Sequence, residues 1–366
     1  MRGNITRRGK TSWRLKFDIE PVAGQRRVRT VTVKGSRRNA EAELARLLND
    51  AHKGTLVDHS KVTVGDYLLS WLDSRHGLAP LTVERYRDII ERQTNPVLGK
   101  IELQKIKPAH IQGWISGLIK SGLSARSVTH AHRVILAALR NAVQMEILTR
   151  NVADVAKPPK VEAVEVDILS AEQITAVLAA LAGHSIHPIV FLAIATGMRR
   201  GELLALRWQD VAGASLKVER SLEQTKAGLR FKAPKTVHGR RTISLPPSAI
   251  AMLSSHRKAQ LELRMQLGLG KAGPDALVFC DYDGKPLSPN YLSILWRRAT
   301  RPIGVDVTFH ALRHSHASAL IAAGEDVVTV SRRLGHGSPA FTLTTYAHLF
   351  RKSDSTAADA IERLLK

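Results

Sequence analysis

Between Ser12 and Ile19 (Ser-Trp-Arg-Leu-Lys-Phe-Asp-Ile), large apolar and polar side chains alternate with a period of two. That spacing predicts a half-buried β-strand. Val28-Arg-Thr-Val-Thr-Val33 repeats it in β-branched residues, and Gly24-Gln25 marks the turn between them. The period then lengthens: from Asn39, read as a helix cap, Ala42, Leu44, Ala45, Leu47 and Leu48 supply one apolar face. Residues 1–60 are therefore expected to form a small three-stranded sheet backed by a helix. Helical spacing recurs over Val64 to Leu72 and Leu81 to Ile90, and Pro108 opens a third helix ending near Gly117. The longest runs from Ser124 to Ile147, with Val128, Val134, Ile135, Ala138, Leu139, Ala142 and Val143 inward. Residues 62–155 read as a bundle of four short helices.

Ala156-Lys-Pro-Pro-Lys-Val-Glu-Ala-Val-Glu is the best linker in the chain, extended by its paired prolines, and 156–165 separates the bundle from the C-terminal half. Ser170-Ala-Glu-Gln173 has the form of a capping box. Helices then alternate with short strands at Ser215 to Glu219, Leu229 to Lys232 and Arg241 to Leu245, until Pro246-Pro247 ends the β stretch. No internal repeat is present, which excludes a solenoid. The expected fold class is mainly α with small β-sheets (α+β), the third unit spanning 166–350 and a tail 351–366.

Composition narrows the class. A chain of 366 residues is too long for one ordinary core, and 44% hydrophobic with 24% charged residues describes a globular protein. Lys and Arg number 55 against 32 Asp and Glu, a formal charge of +23 spread over several segments, which points to nucleic acid rather than a membrane surface. Residues 1–39 hold twelve of the cations against two acids. Arg7, Arg8, Lys10, Arg14 and Lys16 there, and Arg126, Arg133 and Arg140 on the longest helix, are the candidate DNA contacts. Each alone reads as a solvated surface residue; only their sum supports binding. The single Cys280 excludes an internal disulfide and a CxxC site. The N-terminus has no apolar signal region, and the longest apolar run, Pro188 to Met198, is too short for a membrane span. A cytoplasmic protein, associated with the nucleoid when bound to DNA, is expected.

Candidate chemistry gathers in the last half of the chain. Arg199, in Thr196-Gly-Met-Arg-Arg-Gly-Glu202, stands near the start of a helix, where a guanidinium and a helix N-terminus both suit an anion; Arg200 competes for the role, and pairing of Arg199 with Glu202 is the bland alternative. His310 and Arg313 are three apart on a helix and share a face. His310 and His314 have metal-ligand spacing, yet no acidic partner or HExxH accompanies them, so no metal or other cofactor is expected. Gly335 should end a helix over Val327 to Leu334 and present His336, and Ser338-Pro339 should open a short helix towards Tyr346. Lys235 falls at a turn between two short strands, with Lys226 and Lys232 as competitors. Cations, imidazoles and a phenol of this kind can hold, neutralise and attack a phosphodiester.

Together these fragments resemble the tyrosine recombinase family, in particular phage and integrative-element integrases. The likeness lies in Ala195-Thr-Gly-Met-Arg-Arg-Gly-Glu-Leu-Leu-Ala-Leu-Arg-Trp208, Pro234-Lys-Thr-Val-His-Gly-Arg-Arg-Thr-Ile243, His310-Ala-Leu-Arg-His-Ser315, and Leu334-Gly-His336 through Thr345-Tyr-Ala-His348. Met198 departs from the Leu or Ala common before the first arginine, and ten positions separate His336 from Tyr346 where many relatives have nine. The resemblance implies an arm-site-binding domain, a core-binding domain and a catalytic domain. It implies Tyr346 as nucleophile, Arg199 and Arg313 as phosphate clamp, His310 as general-base candidate, Lys235 as general acid and His336 as hydrogen-bond donor. The implied partners are double-stranded DNA with specific attachment sites, three further copies in a tetramer on DNA, and DNA-bending and directionality proteins. A tail carrying Ile361, Leu364 and Leu365 would dock on a neighbouring protomer. Rival readings are a chromosome-dimer resolvase, which the extra first unit disfavours, a type IB topoisomerase-like enzyme, and an inert DNA-binding regulator.

Overall fold

The structure is a computed structural model that describes residues 3–22, 25–52, 61–162, 166–234, 237–349, 361–362 and 365. It divides into two compact units, Met1–Glu162 and Ala163–Lys366.

The first unit opens with three antiparallel strands, β1 (Gly3–Gly9), β2 (Ser12–Val22) and β3 (Gln25–Lys34), in the order β1-β2-β3. Period-two alternation sorts the faces. Leu15 and Phe17 of β2 are buried with Ala40, Leu44, Leu47 and Ala51 of α1 (Arg37–His52). On the opposite face Thr6, Arg14 and Thr32 form one cross-strand row and Asn4, Lys16 and Thr30 the next. Arg14 and Lys16 are thus exposed on the solvent face, as are Arg8 and Lys10 on the chain before them. Arg7 is exposed too, but it pairs with Trp13 and lays its guanidinium over that indole, on the helix side of the sheet. Arg7 and Arg14 therefore do not share a surface.

Two details of the first helix differ from the expectation. Its cap is Ser36, whose Oγ accepts from the Asn39 amide at 3.2 Å, so Asn39 lies inside the first turn. Ala42 and Ala45 are exposed, and Ala40 and Ala51 take their places in the core, because the helix starts earlier and its face is rotated. Gly24 lies outside the described residues.

A second core belongs to the helices α2 (Val64–Asp73), α3 (Pro80–Asp88), α4 (Asn95–Leu98), α5 (Pro108–Lys120) and α6 (Ala125–Gln144). Thr63 and Ser124 cap α2 and α6 with their hydroxyls. Between α3 and α4 the chain winds as a π-turn, Ile89–Thr94. Pro96 comes just after it and has no N–H to continue the ladder. The Trp114 indole donates to the Gln93 carbonyl at 2.7 Å, fastening α5 to this turn. Along α6, Val128, Ile135, Ala138, Leu139 and Ala142 are buried, whereas Arg126, Arg133 and Arg140 are exposed at seven-residue intervals that keep them on one side. The segment read as a linker begins inside this unit: Ala156 is buried in the core, and Thr129 Oγ1 donates to the Pro159 carbonyl. Residues 163–165 lie outside the described residues.

The second unit carries α7 (Ala171–Ala180), α8 (His187–Thr196), α9 (Arg200–Leu203), β4 (Val211–Ala212), β5 (Ser215–Val218), β6 (Ser221–Thr225), β7 (Gly228–Lys232), β8 (Arg241–Ser244), α10 (Pro247–Gln266), α11 (Pro289–Thr300), α12 (Ala311–Ala322), α13 (Val327–Leu334) and α14 (Pro339–Tyr346). The capping box at Ser170 and Gln173 forms as read. Two sheets result, β4-β5-β8 and β6-β7, both antiparallel. The main core joins α8, α10, α11 and the start of α12 to β5 and β8 through Val190, Leu192, Leu216, Ile243, Leu253, Leu292 and Leu312. A smaller cluster of Ala317, Ile321, Val330, Leu334 and Tyr346 binds α12, α13 and α14. Helices with small sheets, as expected, make up the fold.

Candidate active site

Helix α8 ends on Gly197, in a left-handed conformation (φ 65°). A Cβ there would lie 2.5 Å from the His316 ring and 2.8 Å from Leu334, so both backbone and space require glycine. The turn delivers Arg199 as the cap of the short helix α9. The Arg199 amide donates to Glu202 Oε2 at 3.0 Å, which fills the helix N-terminus with the chain's own carboxylate. The Arg199 side chain pairs with Glu202 Oε1 at 2.8 Å and reaches the Gly335 carbonyl at 3.1 Å while staying 40% exposed. Arg200 turns elsewhere and bonds Ser293 of α11.

The C-terminus of α13 explains why the arginines meet. A helix leaves its last carbonyls without partners and carries partial negative charge at that end. Gly335 caps α13 in the left-handed conformation (φ 69°), and three successive carbonyls beyond the cap bonds each accept from a different guanidinium. Arg241 Nε donates to Arg333 O at 2.7 Å, Arg313 Nη2 to Leu334 O at 2.7 Å, and Arg199 Nη2 to Gly335 O at 3.1 Å. Arg313 also donates to Gly197 O at 2.8 Å, and Arg241 to Glu202 Oε2 at 2.9 Å. Three guanidiniums thus face one buried carboxylate. Burial works against the Glu202 charge, but Arg241 and Arg199 outweigh it and hold the carboxyl below its ordinary range. Burial, then the charge of Arg199, bring Arg313 down to about 9, which leaves it fully charged at neutral pH. Cations held this close with too few anions form a seat for an anion.

Around that seat stand imidazoles and a phenol. His310 caps α12, and its ring meets the His314 ring edge-on with centroids 4.8 Å apart. Burial, followed by His314 and three arginines, pushes His310 down to about 4. His336 is buried beside α14, with Nδ1 2.6 Å from Thr342 Oγ1 and its ring against Phe341; burial and then Arg313 push it to about 3. Tyr346 ends α14 in the apolar seat of the small cluster, 1% exposed, with its hydroxyl 2.7 Å from His314 Nδ1. Burial raises the phenol to about 12, opposed by Arg313, so it is protonated at rest. His316 pins the scaffold. It accepts from Arg333 Nε at 3.1 Å, so its Nδ1 carries the proton and donates to Ile194 O at 2.8 Å.

Five of the six residues singled out from the sequence, Arg199, His310, Arg313, His336 and Tyr346, are brought to this one place. Lys235 lies outside the described residues. Of its neighbours in sequence, β7 pairs with β6 and β8 with β5, and the turn of the β6–β7 hairpin is at Lys226-Ala227. Lys232 pairs with the buried Glu223. The tail residues 351–360 and Leu364 lie outside the described residues, while Ile361 and Leu365 are exposed. Sequence reasoning missed Arg241, whose signal was only an arginine opening a strand, and His314, which it weighed as a metal ligand alone. Among the described residues no group of His, Cys, Asp and Glu could hold a metal, and no helix is long and apolar enough to cross a membrane.

Comparison with known proteins places this arrangement. The phage integrase family matches residues 167–353, and the N-terminal SAM-like domain of phage integrases matches 63–119. The chain is 28% identical to a tyrosine recombinase XerC-like protein of Caldanaerobacter subterraneus subsp. tengcongensis, over 99% of this chain and 98% of that protein. It is also 28% identical to the ICEBs1 integrase of Bacillus subtilis, over 96% of each. In fold it is similar to the Tn1549 transposon integrase in complex with a circular intermediate DNA (TM-score 0.71, 19% identity, 83% of this chain and 99% of that one). It is similar as well to a lambda integrase tetramer bound to a Holliday junction (TM-score 0.58, 21% identity, 92% and 96%). With the phage integrase match at 167–353 covering half its length, the chain belongs to the phage integrase family of tyrosine recombinases.

Proposed function

We propose that this protein cuts and rejoins DNA at specific attachment sites through a 3′-phosphotyrosine intermediate, and so integrates or excises a mobile element by way of a four-way junction. The observation that carries the reading is the convergence of Arg199, Arg313 and Arg241 on three successive carbonyls at the end of α13, beside His336 and the Tyr346 hydroxyl. A buried tyrosine with a hydroxyl partner is common in protein cores. One held next to a surplus of fixed guanidiniums is not. Arg199 and Arg313 hold the non-bridging phosphate oxygens and stabilise the charge that builds on them in the transition state. If the Thr342 hydroxyl donates to His336 Nδ1, the imidazole proton sits on Nε2, the tautomer that donates to phosphate.

Tyr346 Oη attacks phosphorus, and the departing 5′-oxygen needs a proton, which Lys235 supplies in this reading. The linkage formed keeps the energy of the broken phosphodiester, so rejoining to another strand requires no nucleotide. His310 is the base candidate on the family pattern; the hydrogen bond to the phenol belongs to His314. The ICEBs1 integrase and the transposon and lambda integrases among the similar proteins support the mobile-element setting and a tetramer on DNA. In the same reading residues 1–60, 62–155 and 166–350 are the arm-binding, core-binding and catalytic domains.

Incubation with a nicked attachment site should trap a covalent protein–DNA adduct visible on a denaturing gel. Tyr346→Phe should abolish it and keep DNA binding. An adduct that persists in this variant moves the nucleophile elsewhere, and tight binding without any wild-type adduct would favour the inert regulator.

A further inference from the structure

The phenol of Tyr346 has one described hydrogen-bond partner, and it is not the histidine of the His-x-x-Arg pattern. His314 Nδ1 lies 2.7 Å from Tyr346 Oη, with the two rings tilted at 59°. His310 stands behind, edge-on to the His314 ring. With the imidazole proton on Nε2, the tautomer in which the phenol donates to Nδ1, His314 presents a lone pair to the atom that must lose its proton. The groups facing His314 are His310 and Arg313 on its own helix, Asp167 ahead of α7, His336 after α13 and Tyr346 on α14. Burial and then Arg313 keep His314 below its ordinary pKa, opposed by the Asp167 carboxylate. The ring is therefore neutral at neutral pH and has an anion near enough to stabilise it once protonated.

We propose that His314 accepts the proton of the Tyr346 hydroxyl as the phenol attacks phosphorus, and returns it when the strand is rejoined. The assignment rests on Tyr346 as the nucleophile. In cleavage the Oη–P bond forms and the P–O5′ bond breaks. The phenol proton passes to His314 Nδ1, and the departing 5′-oxygen takes a different proton from the general acid. Religation reverses each transfer: the 5′-hydroxyl gives its proton to the now neutral acid, and the leaving phenolate recovers its own from the His314 imidazolium. A bound phosphate helps, because its charge offsets Arg313, the cation that most disfavours a protonated His314.

The test is single-turnover adduct formation by the full chain on a nicked duplex cut from the junctions of the element that encodes it, from pH 6 to 9, with and without imidazole. His314→Ala should slow adduct formation by about 100-fold or more. Imidazole should restore part of the rate, and the deficit should narrow as pH rises and the phenol ionises unaided. His314→Gln, which keeps a polar group against the hydroxyl, should bind DNA and remain slow. Wild-type or faster cleavage by either variant would overturn the proposal and make the bond a resting latch. A deficit that neither imidazole nor pH alters would overturn it in favour of a packing role, and imidazole rescue confined to His310→Ala would give the task to His310. An adduct formed by Tyr346→Phe would instead remove the nucleophile on which the proposal depends.

Discussion

Two sets of arginines in this protein carry the same charge under opposite conditions. On α6, Arg126, Arg133 and Arg140 stand exposed along one side of the bundle, and the contact of Arg140 with Asp154 is a loose 3.7 Å. At the end of α13, Arg313 and Arg241 are almost wholly buried, and each donates to backbone carbonyls that no side-chain rearrangement can remove. An exposed guanidinium on a mobile side chain contributes little to stability and binds phosphate wherever it meets it. A buried one that is bonded to backbone is fixed before the substrate arrives, which is the condition for stabilising a transition state rather than a bound duplex. The first set is suited to affinity and the second to chemistry.

The sharpest way to break this contrast is Arg313→Ala. It removes a cation from the seat and strands the carbonyls of Gly197 and Leu334, at about 1–3 kcal/mol for each buried acceptor left unpaired. Adduct formation should fall by about 1,000-fold or more, with a lowered denaturation midpoint. Arg313→Lys should recover stability better than rate, because an ammonium cannot span both carbonyls and a phosphate.

Glu202→Gln should have the next largest effect. It leaves Arg199 and Arg241 without their shared carboxylate, so stability should drop by about 3 kcal/mol in chemical denaturation and cleavage should slow with it. An unchanged midpoint would mean that the carbonyls alone hold the cluster.

Acid should loosen the same region. His316 and His336 sit at about 4 and about 3 when folded and near 6.5 when unfolded, so between those values the unfolded chain binds more protons. Their contribution is complete above about pH 6.5 and is lost progressively as pH falls, through about 4 for His316 and about 3 for His336. Urea midpoints at pH 7 and pH 5 check this, and a phosphate-bearing ligand should reduce the difference by favouring the imidazolium. The smallest effect belongs to α6: Arg133→Ala should lower the slope of log affinity against log salt by about one and weaken binding modestly.

Much of this contrast was legible in the chain. Gly197, Gly335 and Ser338-Pro339 announce helix ends by chemistry that is local, and the helix ends position Arg199, His336 and Tyr346. What could not be read was contact between distant segments. Arg241 reads as one more arginine in a strand until β8 is seen against α13, 92 residues further on. His314 looks like half of a metal pair until α14 brings Tyr346 to it. Strand order was hidden for the same reason, because pairing is non-local: β8 joins β5 across the β6–β7 hairpin. Asn39 was misread for a smaller reason, since two polar residues three apart can each cap the same helix and Ser36 takes the position.

The most direct test of the central claim is to map the trapped adduct. After nuclease and protease digestion of the covalent complex, mass spectrometry should find a nucleotide joined through its 3′-phosphate to the peptide containing Tyr346. A nucleotide on the exposed Tyr291, or on a serine or lysine anywhere in the chain, would contradict it.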